Sequence, residues 1–346
     1  MTALQEPARP KGYARPKPVP WRRMAWVTWR QHRTALAGAA AFLGAVAAGM
    51  WLAGLQVHHA YAAATACHPA TSAACSDLAS SFNHMALPLF NGYPLQAVPA
   101  LVGAFAGAPL LARELETGTF RYAWTQGFGR SRWTLAKLVP LAVAVTAGAG
   151  ALTVLLWWYY QPYLAGRNFA LSLNEVSPLA SLFVLRGVAF AAWTLAAFAI
   201  GVLAGVLTRR VIPAVAATLA AYSGLAAAAG LYLREHYLAP LVTSNPSVRV
   251  PAWILSRHWT KGGHPVSQSV MSQVFQREAS RLAGGGRLPR GVNMTSYATR
   301  HGYTQWTTYQ PASRFWPFQW IESGWLLALS VLLIGATVWL VRRRAT

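Results

Sequence analysis

Long apolar stretches alternate with polar or basic segments along most of the chain. An α-helix needs about 20 consecutive apolar residues to cross the roughly 30 Å hydrocarbon core of a bilayer. We predict a membrane span in each of the following stretches: 35–55, 87–112, 138–160, 187–208, 211–233 and 323–341. The pattern therefore predicts an all-α integral membrane protein whose residues 34–346 form a domain of six transmembrane helices.

The second predicted span is less regular than the others. Pro88, Pro94 and Pro99 interrupt its first half, and proline removes a backbone donor and kinks or breaks a helix. We therefore expect the outer half of this span to be broken or re-entrant. Weak GxxxG pairs, which let two helices approach closely, occur in spans two and four at Gly103, Gly107, Gly201 and Gly205.

Residues 1–33 precede the first span and have two parts. Residues 1–20 are polar and rich in proline, which predicts a disordered cytoplasmic tail. Residues 21–33 place basic and apolar side chains on opposite sides of a helix, as expected for a helix lying in the lipid interface. The alternative is a basic flank of the first span without a docked helix. The basic side contains Arg22, Arg23, Arg30 and Arg33.

Composition agrees with a membrane protein and sets its orientation. The chain is 55% hydrophobic and 11% charged, whereas soluble domains average about 25% charged residues. Its net charge of +22 does not indicate a nucleic-acid partner, because the basic residues lie between apolar spans. Segments assigned to the inside carry 18 Lys and Arg, against one in the short outer loops. The positive-inside rule then places both termini in the cytoplasm of a multi-pass plasma-membrane protein.

The first outer loop, residues 56–88, contains no Lys or Arg and holds both cysteines. The outer face is oxidising enough for a disulfide, so we predict a bond between Cys67 and Cys75. The alternative is a metal site, although the spacing of the nearby histidines fits no strong signature. Those histidines are His58, His59 and His68.

Residues 234–321 form a long outer region between spans five and six, and this region is polar and aromatic. Within it, residues 267–282 have the spacing of an amphipathic helix, and three consecutive glycines follow at 284–286. One face of the predicted helix contains Val270, Met271, Val274 and Phe275.

The longest charged segment between two spans is residues 113–137, which lies on the cytoplasmic side in this topology. Phe120, Ala123 and Trp124 fall on one helical face. Because the chain must leave the membrane and return within this segment, a compact helical element on the membrane surface is the economical structure. We interpret the segment as a docking element for another protein; the alternative is a solvated loop.

Two motifs carry a resemblance to a known family. The segment ARELETGTFRYAWTQGFGRSRW, residues 112–133, resembles the cytoplasmic loop of permease subunits of type-two ATP-binding-cassette (ABC) exporters, in the form common in high-GC Gram-positive bacteria. The segment YQPASRFWPFQWIE, residues 309–322, resembles a second signature of the same family and directly precedes the final span.

The resemblance implies a translocation pathway formed with a second permease subunit, identical or related, and driven by two ATPase subunits. The expected cargo is an amphipathic or hydrophobic compound, such as an antibiotic, drug or peptide. ATP and Mg²⁺ would bind the ATPase subunits, so this chain would have no cofactor and no catalytic activity. The coupling role is carried over to Glu114, Glu116, Gly118, Thr119, Arg121, Trp124, Gln126, Arg130 and Trp133.

The catalytic motifs absent from the chain agree with an external energy source. It contains no GxxxxGK[ST], HExxH or GxSxG motif, and thus no recognisable ATP-binding loop, metalloprotease site or hydrolase nucleophile. The alternative function is a membrane-embedded enzyme or assembly factor that acts through the outer region. Only Glu235 and Glu278 precede Glu322 there, and so few carboxylates disfavour acid–base catalysis.

Four residues are candidates for the pathway or a gate. Arg186 and Glu322 lie at outer ends of spans, and an ionisable residue in a membrane segment is a functional candidate by default. The two could pair, or Arg186 could extend to the interface. Arg314 and Trp316 belong to the second motif.

On the inner side, Glu114 and Glu116 lie at the end of the second span, where carboxylates oppose the helix dipole. We expect a cationic partner for them or a solvated helix end. The candidate partners are Arg22, Arg23 and Arg30, or a residue of the ATPase.

Overall fold

A computed structural model describes residues 21–69, 72–90, 93–118, 130–165, 183–244, 252–283 and 294–343. These parts are mostly helical. The helices are α1 (Trp21–Ala66), α2 (Ala73–Phe90), α3 (Tyr93–Gln96), α4 (Val98–Thr117), α5 (Arg130–Ala165), α6 (Ala189–Thr208), α7 (Val211–His236), α8 (Gln268–Ala283), α9 (Met294–Arg300) and α10 (Phe315–Arg343). The strands are β1 (Leu241–Thr243), β2 (Trp253–Lys261), β3 (His264–Val266) and β4 (Tyr303–Gln310).

Five helices of the described residues are long and apolar enough to cross a membrane. These candidate spans are Val98–Thr117, Arg130–Tyr163, Ala189–Thr208, Val211–His236 and Ala312–Arg343, which correspond to predicted spans two to six. The first predicted span, 35–55, lies within α1. The helices support a multi-pass membrane protein, while the count of six spans and the side of each terminus stay predictions.

Helix α1 runs through the boundaries expected in the N-terminal part, whose interfacial segment and span stay predictions. The sequence suggested an interfacial helix at 21–33, a span at 35–55 and an outer loop from 56, but the structure has one helix of 46 residues. At 1.5 Å per residue it is about 69 Å long. Alanine has the highest helix propensity, and its abundance here lets the helix continue through segments whose polarity suggested boundaries.

The predicted outer loop 56–88 is mainly a helical hairpin that contains the predicted disulfide. Cys67 follows the last residue of α1, Cys75 lies in the first turn of α2, and their Cα atoms are 5.6 Å apart. His58 stacks on the ring of Trp158, with ring centroids 4.6 Å apart. No group of three or more potential metal ligands occurs within the described residues.

The second span is broken, as its prolines predict. Helices α2, α3 and α4 follow one another in place of a continuous span, and Pro99 lies in the first turn of α4. A π-helical turn, Gly103–Gly107, interrupts α4, and a second one, Ala229–Leu233, interrupts α7.

Helix α6 lies at the centre of the bundle and contacts α4, α5, α7 and α10. Glycines make its contact with α4 unusually close: a Cβ atom added to Gly103 would lie 2.5 Å from the carbonyl oxygen of Ala197, and one added to Gly205 would lie 2.5 Å from that of Ala108. Gly107 and Gly201 belong to the same contact. The two GxxxG pairs therefore face each other across one helix interface.

The predicted outer region contains a sheet that we did not expect from the sequence. Its four strands are antiparallel in the order β1-β4-β2-β3. Helix α8 confirms the predicted amphipathic helix within one residue at each end, and Met271 on its inner face packs with Trp259 and Ala298 in a small separate core. An all-α description is thus correct for the bundle and incomplete for this region.

The two ends of the bundle carry different structures. Residues 119–129 connect α4 and α5 at the end that we call the coupling end. The sheet lies between α7 and α10 in the chain and marks the opposite end, the sheet end. Helix α10 has 29 residues and is about 43 Å long, so contacts near its first and last turns are far apart.

Candidate coupling and pathway sites

Glu114 forms an ion pair with Lys137 at the coupling end. Lys137 is buried, and its Nζ lies 4.4 Å from the ring centroid of Trp133 one turn earlier. From the sequence we expected the partner of Glu114 among the arginines of the N-terminal helix or on an ATPase. The structure instead supplies a lysine from α5, on the far side of the same loop, because α4 and α5 pack together there.

Glu116 has a different role, which its position in the sequence does not indicate. Its Oε2 accepts a hydrogen bond of 3.2 Å from the backbone N–H of Val211, the first residue of α7. Arg210 at the N-cap position has an extended backbone and makes no side-chain capping bond. Glu116 therefore satisfies a free N–H group and places negative charge at a helix N-terminus, both of which stabilise α7.

Gly118 ends α4 in the left-handed conformation, with φ of +73°. Residues with a Cβ atom adopt this conformation at a cost, so glycine suits this helix end. The following residues lie outside the described part of the chain. They include the predicted coupling residues Thr119, Arg121, Trp124 and Gln126 and the apolar face formed by Phe120, Ala123 and Trp124.

Arg130 and Trp133 begin α5 on the other side of the loop. The guanidinium of Arg130 donates to the carbonyl oxygen of Arg342, at 3.5 Å, near the end of α10. Trp133 is buried in an apolar cluster contributed by α4, α5, α6 and α10. The described residues of the predicted coupling set thus lie at the end of α4 and the start of α5, where they contact α7 and α10.

Glu322 is the centre of a polar cluster at the sheet end, and its side chain is fully buried. Its Oε1 accepts from Arg234 Nη2 at 2.7 Å and from Trp193 Nε1 at 2.6 Å. Its Oε2 accepts from Arg234 Nε at 2.9 Å and from the hydroxyl of Tyr237 at 3.2 Å. This carboxylate cluster connects α6, α7 and α10.

Aromatic rings enclose the carboxylate cluster. Trp325 donates to the hydroxyl of Tyr237 at 2.9 Å, and the ring of Trp193 meets that of Trp325 edge to face, with centroids 5.7 Å apart. A buried ion pair gains from such a setting only when the remaining lone pairs are also satisfied, and here each carboxylate oxygen has two donors. Burial and Glu322 both raise the pKa of Tyr237, so its hydroxyl remains a donor at neutral pH.

The candidate pathway residues do not converge on one site. Glu322 pairs with Arg234, and the suggested pair with Arg186 is not formed. Arg186 lies with its Cζ 5.1 Å from the ring centroid of Phe315, and burial lowers its pKa.

The other two candidates, Arg314 and Trp316, lie at the start of α10. Arg314 donates to the carbonyl oxygen of Ala239 and to the side chain of Gln310, and these two hydrogen bonds hold the sheet against the end of α7. Trp316 is 54% exposed.

Gln319 is a structural residue of the second motif that sequence reasoning overlooked. Its Oε1 accepts from the backbone N–H of Ala189 at 2.9 Å, and its Nε2 donates to the carbonyl oxygen of Phe183 at 2.6 Å. A Cβ atom on Gly187, whose φ is +153°, would lie 2.6 Å from Gln319 Oε1. The only sequence signal was a glutamine among aromatic residues before a span.

Comparisons with known proteins place the chain in a family. Neither the curated proteins nor the solved structures contain a significant match. A family profile, described as ABC-2 membrane transporter related, matches residues 40–234, which is more than half of the chain. That match includes α4, the predicted docking element 113–137, α5, α6 and most of α7. This chain therefore belongs to the ABC-2 membrane transporter related family and is a permease component of the ABC-2 type.

Proposed function

We propose that this chain is the permease subunit of an ATP-driven exporter of the plasma membrane. It works with two copies of a separate ATPase subunit, which bind ATP and Mg²⁺, and with a second permease subunit, identical or related. Its cargo is an amphipathic or hydrophobic compound such as an antibiotic, drug or peptide. Family membership and the candidate spans support this proposal.

The proposed coupling role is supported by polar contacts that connect both flanks of residues 119–129 to other helices of the bundle. On the α4 side, Glu114 pairs with Lys137 of α5, and Glu116 holds the first N–H group of α7. On the α5 side, Arg130 reaches α10. A partner that displaces residues 119–129 would consequently move the ends of α4, α5 and α7 together.

This arrangement suits transmission of a movement because the flanking contacts are directional polar contacts between different helices. Separating Glu114 from Lys137, or Glu116 from the first N–H group of α7, would cost stabilising free energy. The helix ends then respond as one body. Trp124, on the predicted apolar face of the loop, is the candidate anchor for the ATPase, because tryptophans often dominate binding energy at interfaces.

The test is ATP turnover and transport by the permease reconstituted with its ATPase in lipid vesicles. Glu116→Gln keeps the size of the side chain but removes the charge at the α7 N-terminus, and Trp124→Ala removes the proposed anchor. We expect both variants to lose substrate-stimulated turnover, and Trp124→Ala to weaken subunit association by about 2 kcal/mol. Asp77→Asn, an exposed carboxylate of α2, is the matched control and should behave as the wild type.

Two results would contradict the proposal. ATP hydrolysis by the purified permease without a partner would show that the energy source is on this chain. Unchanged coupling in both variants, with normal protein levels, would mean that residues 113–137 are not the connection to the ATPase.

A further inference from the structure

Arg186 is a charged residue of the sheet end whose Nε has no hydrogen-bond acceptor among the residues that the structure describes. It lies in the turn that precedes α6, its side chain is partly buried, and its Nε is shielded from solvent. Burying a cation without an acceptor is costly, so this arrangement requires a physical explanation.

The carboxylate of Glu322 pairs with one of two guanidinium groups that lie close together at the sheet end. The guanidinium carbon of Arg234 lies 5.0 Å from the ring centroid of Phe183, and that of Arg186 lies 5.1 Å from the ring centroid of Phe315. The two rings meet edge to face with centroids 5.8 Å apart. Two guanidiniums thus occupy neighbouring aromatic faces, but the carboxylate of Glu322 pairs only with Arg234.

Helix α10 begins with two aromatic residues, and the ring of the first one, Phe315, lies against the guanidinium of Arg186. Trp316 follows Phe315, their ring centroids are 5.5 Å apart, and more than half of the Trp316 side chain is exposed. Tryptophan at the end of a membrane bundle contacts the boundary between headgroups and acyl chains. A ligand here would meet a cation and an exposed indole together.

We propose that Arg186, with the rings of Phe315 and Trp316, binds the oxyanion headgroup of an amphipathic molecule. The planar guanidinium matches a phosphate or carboxylate, which it can bind through two hydrogen bonds. Trp316 would contact the first part of the apolar chain. Two sources share this chemistry, a membrane phospholipid and the compound that the permease exports; the second source rests on the proposed function.

One carboxylate of the chain itself could occupy the same guanidinium. Glu175 lies between α5 and α6, outside the described residues, and is the only acidic residue of the segment 166–182. If Glu175 filled the site, the wild type would bind no external anion there, and Glu175→Gln would create the binding. This variant therefore belongs in the test.

The experiment measures binding of dodecyl phosphate to the purified full-length permease in a neutral detergent, by native mass spectrometry. We expect one molecule per chain, and no corresponding site for dodecyltrimethylammonium. Arg186→Gln should weaken binding about tenfold or more, as expected for loss of a charge-assisted hydrogen bond. Arg186→Lys should bind with intermediate affinity, because lysine keeps the charge but not the planar fork.

Matched controls separate the site from general electrostatic attraction. Arg277→Gln removes the same charge from an exposed position of α8 and should leave the affinity unchanged. Trp316→Ala should weaken binding of dodecyl phosphate but not of inorganic phosphate, because only the former has an apolar chain. If Arg186→Gln does not fold, the test uses the affinities of Arg186→Lys and Trp316→Ala for dodecyl phosphate, each compared with that of the wild type. Both variants should then bind more weakly than the wild type.

Equal binding by the wild type and Arg186→Gln would overturn the inference, as would an equal loss in Arg277→Gln. Binding that appears only in Glu175→Gln would overturn it as well. Retention of phosphatidylglycerol through purification would identify a resident lipid, whereas stimulation of ATP turnover by dodecyl phosphate in phosphatidylcholine vesicles would identify a transported compound. Because binding is measured without the ATPase, its outcome is independent of the coupling test.

Discussion

Arg234 and Glu322 join α7 to α10 through two parallel hydrogen bonds of 2.9 and 2.7 Å. The two residues are 88 positions apart, and the entire sheet region lies between them in the chain. The pair therefore closes the sheet region at its base and fixes α7 and α10 beside the central helix α6. A carboxylate buried this completely is stable only while its donors remain in place.

Arg234→Gln should strongly destabilise the bundle because it leaves the carboxylate of Glu322 buried without its cation. We expect a loss of about 3–5 kcal/mol in the free energy of unfolding. The double variant Arg234→Met with Glu322→Leu should be much less affected, because apolar side chains can replace a buried ion pair. Denaturant unfolding in detergent, followed by tryptophan fluorescence, measures both; a double variant as unstable as the single one would refute this explanation.

Gly201→Ala should disrupt the contact between α4 and α6. A Cβ atom there would lie 2.8 Å from the backbone nitrogen of Ala108 and even closer to the carbonyl oxygen of Gly103. We expect a loss of about 1–3 kcal/mol, as for other overpacked interiors. Gly148→Ala is the matched control, since nothing lies within 4 Å of its added Cβ, and it should be neutral or slightly stabilising. Equal thermal stability of the two variants would contradict the close helix approach.

The bond between Cys67 and Cys75 should make the native protein unreactive toward a thiol reagent until a reductant is added. Cys67→Ser should leave Cys75 free and therefore reactive in the unfolded protein without reductant. Mass spectrometry after alkylation under denaturing conditions counts the labelled thiols. Two labels on wild-type protein without reductant would show that the cysteines are not joined.

The orientation of the chain is tested by reporter fusions. The distribution of basic residues predicts that a reporter after Gln126 lies in the cytoplasm and one after Gly285 lies outside. An alkaline phosphatase fusion, active only outside, and a fluorescent-protein fusion, fluorescent inside, should give opposite readings at these two positions. Identical readings at both sites would require an even number of spans between them in place of the predicted three.

The sequence by itself determined the features that depend on local composition. Apolar length predicted the five candidate spans of the described residues, α4, α5, α6, α7 and α10, because a helix that crosses a bilayer must be long and apolar whatever surrounds it. The prolines of the second span predicted its interruption, and the periodicity of residues 267–282 predicted α8. The two isolated cysteines in a segment without basic residues predicted their disulfide. Two motifs predicted the family to which the chain belongs.

Only the tertiary structure decided which distant residues meet. Strands β2 and β4 pair across more than 40 residues, and short strands of mixed polarity have no local signal as strong as an apolar span. Likewise, Lys137 became the partner of Glu114, Glu116 the cap of α7 and Arg234 the partner of Glu322 because helix packing placed those atoms together. Charge patterns along a chain identify residues that need partners, whereas the partners themselves are set by the packing of helices in three dimensions.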